Sequence, residues 1–471
     1  MDGQSPNKLR VLSLNCWGLW LVADKRKQRI EAIADWIAHS ADPPQSDSRT
    51  SYHSHDNSAP GGSSPTGFDV VALQELWVRR DYEIVAHRAK EAGLVHARFF
   101  YSGAIGSGLA ILSRHPIVSA FVSPYPLNGF PLHFIEGDFF AGKAVCGVTV
   151  DVPTVGDVDV LNTHMYAPGG EGDTVTGAHR VAQAWELARI TTEKAERGRH
   201  VLVTGDFNSQ PHSIIMKMLQ THGSLRDAWA DTHPAPPSIT SASHRALSPL
   251  EVMHTHGITC DSPLNTYSAA KLRKRSPADE VHLRGGKRLD YFLYRSPVDA
   301  PWQLSPERCD VTLTEPVPSL GVSYSDHFAV DATFAFVPTT PQGQKVLPSD
   351  PLKAELLSPA LSTLHAAYRA SLSSSRFQMR LFASCVIAAL ALVVTSSFEP
   401  LRALNWLWVL LGVGAGAAGA TLLYTGFVGG QWEAGQLRNV IGEMEAELER
   451  IRVARSDERA SVETEDGGWG R

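Results

Sequence analysis

Eight residues with metal-binding or proton-transferring side chains stand at the ends of short apolar runs in this sequence. Loops at strand ends on a rigid sheet are where catalytic groups usually lie. The eight comprise four carboxylates, two amides and two histidines: Asn15, Glu75, His164, Asp206, Asn208, Asp290, Asp326 and His327. A single Asp-His or Gln-Glu pair is more often structural than catalytic, so the ordered set, rather than any one residue, predicts a site.

The donor atoms of this set are mostly oxygens, which favours a hard cation. Mg²⁺ prefers one or two carboxylates together with water and substrate phosphate. The set contains no cysteine and lacks the histidine-rich shell that is typical of zinc. Two further histidine pairs, His53 with His55 and His254 with His256, are expected to be loop residues rather than ligands.

The elements that must position these residues alternate between strands and helices from residue 9 to about 336, which predicts an α/β domain. The predicted strands are β-branched runs: Arg10–Leu14, Val70–Leu73, Val158–Leu161, Val201–Thr204, Leu289–Leu293 and Phe328–Phe336. The clearest helical patterns are Arg26–His39 and His179–Arg197, which carry apolar residues at three- and four-residue spacing.

The bulk composition is that of an ordinary globular chain. Its 471 residues carry a net charge of −6, which gives no general attraction to nucleic acid. The five cysteines form no CxxC pair, so we expect neither a disulfide framework nor a zinc cluster. The N-terminus lacks the apolar run of a signal peptide. These features predict a catalytic domain that faces the reducing cytosol.

Two apolar stretches near the C-terminus predict a transmembrane hairpin. Residues 381–398 contain no charge over 18 residues and residues 406–428 none over 23, while a helix needs about 20 apolar residues to cross the bilayer. A short connection containing Pro400 joins them. Three glycines, Gly412, Gly416 and Gly419, lie on roughly one face of the second helix and predict close packing against the first.

Charges beside the hairpin predict its orientation. Arg369, Arg376 and Arg380 precede the first stretch and Arg438 follows the second, whereas the turn has only Arg402. The positive-inside rule then places both termini in the cytosol. We expect an integral protein of the endoplasmic reticulum or of another endomembrane or mitochondrial surface.

The chain is therefore expected to divide into a catalytic domain and membrane-associated segments. Apolar residues at 437, 441, 444, 448 and 451 give the tail a short coiled-coil pattern, which could pair two copies or pack within one chain. The predicted segments are a catalytic domain at 1–336 with flexible insertions at 41–67 and 231–249, a linker and juxtamembrane segment at 337–376, a transmembrane hairpin at 377–429 and a cytosolic coiled-coil-like tail at 430–471.

The ordered motifs resemble the endonuclease/exonuclease/phosphatase superfamily of Mg²⁺ phosphodiesterases. They are LSLNCWG (12–18), ALQELW (72–77), NTHMYA (162–167), GDFNSQP (205–211), RLDYFLY (288–294) and SYSDHFAV (323–330). Three more, SGLAILSRHPI (107–117), FFAGKAV (139–145) and AHRVAQAWEL (178–187), with the C-terminal hairpin, are similar to neutral sphingomyelinases and most of all to fungal inositol phosphosphingolipid phospholipases C. The resemblance implies two packed β-sheets flanked by helices, a four-layer α/β sandwich.

The resemblance also implies a metal site and a base. Glu75 would be the principal Mg²⁺ ligand, supported by Asn15, and Asp326 would be a further carboxylate on the metal side. His327 would be the general base that takes a proton from the attacking water. Asp290 would hydrogen-bond the other ring nitrogen of this histidine and raise its basicity.

Other residues would handle the phosphodiester. Asp206 and Asn208 would position the water and a phosphoryl oxygen, and His164 would contact the phosphate or assist the leaving group. Lys143 and Arg180 are candidates for binding the headgroup phosphate, with an ordinary surface charge as the alternative for each.

These roles together imply a membrane-bound phospholipase C that converts phosphosphingolipids to ceramide and a phosphorylated headgroup, with the choice between phosphocholine and inositol phosphate left open. Acidic phospholipids are expected as activators, and the hairpin or the tail as a means of self-association.

The alternative is a nuclease of the same superfamily, such as a deadenylase. The acidic net charge and the hairpin oppose it, while basic residues within 271–288 favour it or, alternatively, contact anionic lipid. A non-enzymatic scaffold would have damaged the ligand set, which is intact.

Overall fold

The structure is a computed structural model, and it describes residues 8–20, 22–41, 67–132, 137–169, 174–233, 247–274, 285–339, 350–398, 403 and 405–466. The strands are β1 Lys8–Asn15, β2 Val70–Gln74, β3 His96–Phe100, β4 Leu109–Ser113, β5 Ile117–Pro124, β6 Ala144–Val152, β7 Gly156–His164, β8 His200–Asp206, β9 Arg226–Asp227, β10 Asp290–Arg295, β11 Trp302–Thr312 and β12 Ala329–Pro338. The α-helices are α1 Arg26–Ala38, α2 Arg79–Ala89, α3 Asp138–Ala141, α4 Thr174–Glu196, α5 Ile214–Thr221, α6 Ala228–Thr232, α7 Pro249–His256, α8 Thr266–Leu272, α9 Asp350–Ser396, α10 Asn405–Leu423 and α11 Gly430–Asp466. Short 3₁₀ turns follow α1 and α2, and a π-helical segment, Tyr424–Gly429, joins α10 to α11.

Two six-stranded sheets pack face to face. The first has the strand order β11-β12-β1-β2-β4-β3 and the second β5-β6-β7-β8-β10-β9. Residues such as Val11, Val160 and Phe334 fill the space between them. Helices α1 and α2 cover the outer face of the first sheet, and α4 and α5 cover that of the second. The predicted four-layer α/β sandwich is confirmed.

Parallel pairing is confined to the middle of each sheet and creates the edge where function is expected. Strand β1 is parallel to β2, and β7 is parallel to β8. All four strands end at polar residues of the candidate set or beside them. The strand and helix patterns predicted from the sequence each correspond to one of these elements.

The predicted insertions fall largely outside the described residues, at 42–66 and 234–246. The edges of the second one differ from the prediction. Residues 231 and 232 end helix α6, and α7 begins at Pro249, where Ser248 accepts a hydrogen bond from the Glu251 N–H as part of a capping box. Local capping therefore extends ordered structure into the Ser- and Pro-rich segment.

Helix α9 corrects the predicted linker. Residues 340–349 lie outside the described residues, but 350–376 are helical and continuous with the apolar stretch that follows. Leu357 and Leu364 are fully buried in the core that covers the second sheet. Apolar side chains at helical spacing outweigh the Pro-rich composition just before them.

The tail packs within the chain. Its apolar stripe (Leu437, Ile441, Met444, Leu448 and Ile451) joins the same core, and α11 lies against α9 and α4. Of the two predicted alternatives for this stripe, packing inside one chain is observed. Residues 350–376 and 430–456 thus form a helical pair, called the stalk below, that is fastened to the catalytic domain.

Beyond the stalk, the structure contains two helices that are long and apolar enough to cross a membrane. Their outward residues are apolar; Ile387 and Val413, for example, are 67% and 64% exposed. Gly419 faces the first helix, where an added Cβ would lie 3.4 Å from that of Cys385. Gly412 and Gly416 do not, because an added Cβ there would meet no atom of the described residues within 4 Å. The predicted glycine face is therefore wrong at two of its three positions.

Candidate active site

Strand register places three candidate residues side by side in the second sheet. Parallel pairing of β7 with β8 sets His164 opposite Asp206. Antiparallel pairing of β10 with β8 sets Asp290 opposite the same aspartate. Gly205 makes this close pairing possible, because its φ is +133° and a Cβ would lie 1.9 Å from the carbonyl oxygen of Thr163.

The first sheet contributes Asn15 and Glu75 to the same edge. Strands β1 and β2 pair in parallel up to Asn15 and Gln74, and Glu75 follows directly. The Asn15 Nδ2 atom donates to Glu75 Oε1 at 3.2 Å and to Asp206 Oδ2 at 3.0 Å. One buried amide therefore joins the carboxylates of the two sheets.

The loops that carry these residues leave the strands through left-handed backbone. Trp17, Glu75 and Asn208 have φ values of 45°, 54° and 47°. Such conformations are uncommon outside glycine and cluster at functional sites. They turn the chain sharply at the sheet edge, so that the side chains converge there.

His327 lies opposite this group and is held by Asp290. Its Nδ1 atom is 2.8 Å from Asp290 Oδ2, and its Nε2 atom is 3.8 Å from Asp206 Oδ2. Burial lowers the pKa of His327, but Cys260, Asp290 and Asp206 raise it, and the net pKa is well above the usual value. With the Nδ1 proton directed at Asp290, Nε2 is the nitrogen that faces the carboxylates and can accept a proton.

The donor set fits a divalent cation. One ligand atom from each of the buried residues Asp206, Asp290 and His327 lies within 4.8 Å of the other two. Asp290 and His327 are hydrogen-bonded to each other, which leaves Asp206 and the neighbouring Glu75 as the carboxylates that can face a cation. Burial raises the pKa of Asp206 to about 7 and also raises the pKa of Glu75. Asp290 Oδ1 is buried without a hydrogen-bond partner among the described residues. A cation would stabilise these crowded, desolvated carboxylates.

His164 and Lys143 form a second polar pair at the edge. Lys143 Nζ lies 2.7 Å from His164 Nε2 and 3.0 Å from Asp138 Oδ1. Burial, together with the charges of Lys143 and His327, holds the pKa of His164 well below its usual value. The His164 ring is therefore neutral, and it lies 3.5 Å from the carboxylate of Asp206.

The remaining candidates lie nearby or have structural contacts. Asp326 is half-buried beside Ser325, and its charge raises the pKa of Glu75. The Asn208 amide donates to the carbonyl oxygen of Met165 at 3.1 Å. Arg180 is buried, and its guanidinium donates to backbone carbonyls in the loop after β7, including that of Pro168 at 2.8 Å.

Sequence reasoning missed the residues that hold the loops together. Arg29 donates to the carbonyl oxygens of Cys16 and Tyr324 at 3.0 and 2.9 Å, which ties the loop after β1 to the segment before His327. Ser325 donates to the Asn15 carbonyl at 2.6 Å. The only sequence signal for Ser325 is its position within the motif SYSDHFAV. Arg29 has no such signal, because it occupies an ordinary polar position of a predicted helix.

Asp138 was also missed. It lies one residue before the FFAGKAV motif and binds the ammonium group of Lys143 inside that motif. A carboxylate five residues before a lysine carries little signal by itself, since most such pairs are solvent-exposed. Both side chains are buried here, at 7% and 4% exposure.

Comparison of the chain with known proteins identifies its family. The model of the "Endonuclease/Exonuclease/phosphatase family" matches residues 12–327. The chain is 33% identical to "Inositol phosphosphingolipids phospholipase C" of Saccharomyces cerevisiae, over 89% of this chain and 85% of that protein. It is 32% identical to the protein of the same name in Schizosaccharomyces pombe, over 71% and 70%. It is 30% identical to human "Sphingomyelin phosphodiesterase 2", over 90% and 84%.

The family match covers most of the two-sheet domain and ends just before β12, and the relatives extend through most of the chain. The buried carboxylates and the Asp290–His327 pair lie at the sheet edge within the matched region. The chain belongs to the endonuclease/exonuclease/phosphatase family, and within it to the group that contains the inositol phosphosphingolipids phospholipases C and the neutral sphingomyelinases.

Proposed function

We propose that this protein is an Mg²⁺-dependent phosphodiesterase that hydrolyses inositol phosphosphingolipids, sphingomyelin or both to ceramide and a phosphorylated headgroup. One observation carries the proposal: the buried Asp290–His327 pair lies beside the buried carboxylate of Asp206, which Asn15 joins to Glu75, in a chain that continues into two helices of membrane-spanning length. The names of the relatives supply the substrate class.

His327 is proposed as the general base. Its Nδ1–H donates to Asp290, which fixes the tautomer and leaves Nε2 to take the proton of the attacking water. The neighbouring carboxylates raise the pKa of His327, and a cation bound at those carboxylates would oppose this rise and favour the neutral ring that a base requires. Asp206, 3.8 Å away, would hold the water in place and stabilise the imidazolium that forms.

Glu75, Asn15 and Asp326 are proposed to hold the metal, with Asp206 at the border between the metal and the base. Bound Mg²⁺ would supply charge stabilisation for the phosphoryl and leaving oxygens. Asn15 keeps Glu75 and Asp206 at hydrogen-bond distance from one amide, and so holds the two carboxylates together. Asn208 would then orient a phosphoryl oxygen.

Lys143 and His164 are proposed to bind the phosphate. Lys143 brings a buried positive charge next to His164, where it would compensate an anionic phosphodiester. Because the pKa of His164 is well below the usual value, its neutral ring can accept a hydrogen bond from the Lys143 ammonium at 2.7 Å and so would hold that cation in place for the phosphoryl group. The carbonyl contacts of Arg180 favour a part in shaping the loop after β7 over direct headgroup binding.

The stalk supports a lipid substrate over a polynucleotide. Its helices are continuous with the two apolar helices, so the catalytic domain is held beside the bilayer. We propose cytosolic termini on an endomembrane or mitochondrial surface, following the arginines that flank the hairpin. The proposal also includes activation by acidic phospholipids and self-association through the hairpin. It further includes contact of Lys271 and Lys274 with anionic lipid.

The test is a parallel assay of the full chain in detergent micelles. Sphingomyelin, inositol phosphorylceramide and single-stranded RNA are each incubated with Mg²⁺ or with EDTA. Mg²⁺-dependent release of ceramide, with intact RNA, is the expected result, and the two lipid rates decide the headgroup. Degradation of RNA without ceramide release would establish the nuclease alternative. Adding phosphatidylserine to the micelles tests the activator, and equal rates would reject it.

A further inference from the structure

A cavity of about 580 Å³ lies where the catalytic domain meets the junction of hairpin and stalk. Leu127, Phe130 and Phe139 line it from the catalytic domain, and Tyr424 and Val428 line it from the second long helical run. The volume falls within the range of small-molecule sites, roughly 300–1,000 Å³. The lining is mainly aromatic and aliphatic, so an apolar ligand suits it.

The cavity lies at the stalk-side ends of the two apolar stretches, where the headgroups would meet the hydrocarbon of a bilayer that these stretches cross. Its helical walls are residues 370–378, just before the first apolar stretch, and residues 424–433, at the end of the second. Tyr424 and Trp432 are each 57% exposed, and such aromatic side chains are enriched at membrane interfaces. Trp432 also donates to the Pro126 carbonyl at 3.3 Å, which joins the cavity wall to the catalytic domain.

The short helix α3 separates the cavity from the active site. Phe139 of this helix lines the cavity, and the preceding residue, Asp138, lies 3.0 Å from Lys143 Nζ. That ammonium is 2.7 Å from His164 Nε2. A molecule with an apolar part in the cavity could therefore extend a polar end around α3 to the phosphate-binding side of the site.

Charge excludes an anionic occupant. Glu433 is the one charged side chain among the described residues that line the cavity. Its carboxylate already accepts a hydrogen bond from Ser371 at 3.0 Å. A wall with a carboxylate and no cation disfavours the headgroup of an acidic lipid and tolerates a neutral amide and hydrocarbon.

From these four observations we infer that the cavity binds the ceramide part of the substrate, namely the sphingoid base and the start of its acyl chain. The inference rests on the proposed function. It assigns the hairpin a part in substrate binding in addition to anchoring.

A matched pair of substitutions tests this assignment. Ser373 and Ser374 are both exposed on helix α9, but only Ser374 lines the cavity. Ser374→Trp should fill the cavity, and Ser373→Trp makes the same change outside it. The substrates are a long-chain phosphosphingolipid in mixed micelles and bis(p-nitrophenyl) phosphate, which has no lipid chain.

Ser374→Trp should lower the ratio of kcat/KM for lipid over soluble substrate by about 10-fold or more, whereas Ser373→Trp should keep this ratio within about 2-fold of wild type. An equal ratio in the two variants would overturn the inference. A photoactivatable ceramide supplies a readout that does not need turnover: it should label peptides from 370–378 or 424–433 in wild type and not in Ser374→Trp. Labelling elsewhere refutes the cavity assignment, whereas wild-type protein that hydrolyses only the soluble diester refutes the proposed function.

Discussion

The carboxylate of Glu433 lies between His179 of the catalytic domain and Ser371 of helix α9. Glu433 Oε1 is 3.4 Å from His179 Nε2, and Oε2 accepts the Ser371 hydroxyl hydrogen bond at 3.0 Å. The other ring nitrogen of His179 accepts the Gly129 N–H at 3.0 Å. Because Nδ1 is an acceptor, the proton is on Nε2 and points at Glu433. One carboxylate thus connects both stalk helices to the loop that borders the cavity.

Glu433→Ala should therefore destabilise the docking of the stalk. The substitution leaves a buried His179 N–H without its acceptor, which costs about 1–3 kcal/mol. The expected result is a lower unfolding temperature in detergent and faster proteolysis within the stalk. Glu445→Ala is the control, because that residue pairs with His365 at the surface and should change stability by less than about 0.5 kcal/mol. Equal losses in the two variants would contradict the bridging role.

Loss of the base should remove turnover while the fold remains. His327→Ala should lower kcat by about 10³-fold or more, and Asp290→Asn by about 10²–10⁴-fold because the ring loses its orienting acceptor. Circular dichroism checks the fold, and the exposed His365→Ala serves as the activity control. Should His327→Ala keep a tenth of wild-type activity or more, another residue must be the base.

Divalent cations should stabilise the protein through Glu75. A ligand at about 100 times its Kd adds about 2.7 kcal/mol to the free energy of unfolding, so Mg²⁺ should raise Tm and EDTA should lower it. Glu75→Gln should abolish this difference. Glu83→Gln makes the same change in a side chain that pairs with Arg79 at the surface, and the Mg²⁺ effect should persist there. If Glu75→Gln retains the full rise in Tm, the metal is held elsewhere.

Stability should fall in acid partly because of His200. Burial lowers the pKa of this residue from 6.5 to about 4. The unfolded chain therefore binds a proton at a higher pH than the folded protein, and the contribution present above pH 6.5 is lost as pH falls towards 4. The loss amounts to about 3 kcal/mol.

Urea unfolding at pH 7 and at pH 4.5 measures this contribution. His200→Gln should show a smaller decrease between the two pH values than wild type. His39→Gln, the same change at an exposed position, should follow the wild type. A decrease that is identical in His200→Gln and in wild type would show that His200 does not titrate as described.

Much of this architecture follows from local patterns that the sequence displays. The runs that became β1, β2, β7 and β8 are β-branched and end at polar residues, so both the sheets and the edge with its side chains could be predicted. Register could not, because the opposition of Asp290 and Asp206 depends on an antiparallel pairing between strands 84 residues apart. The convergence of Asn15 on both Glu75 and Asp206 likewise depends on how two sheets pack.

The stalk shows a different limit of sequence reasoning. The apolar stripe at Leu437 and Met444 was visible, but a stripe does not identify its partner. Its partner is α9. The apolar residues of α9 follow directly on a Pro-rich segment, and that composition led to the prediction of a linker there. The prediction that Gly412 and Gly416 pack against the first helix was wrong for a related reason. Small residues permit close packing, but the point where two helices cross decides which of these residues lie at the contact.

Helix α9 runs from the catalytic core into the first apolar stretch, and α11 connects to the second through the π-helical segment, so the two helices together set the height and orientation of the catalytic domain above the lipid. An α-helix rises about 1.5 Å and turns about 100° for each residue, so the roughly 20 residues from Leu357 to Phe377 place the core around Leu357 about 30 Å from the first apolar stretch. Adding one residue to only one of the two helices would turn its upper part by about 100° against the other. The catalytic domain is therefore connected to the membrane-spanning segments rigidly, through helices, rather than through a flexible linker.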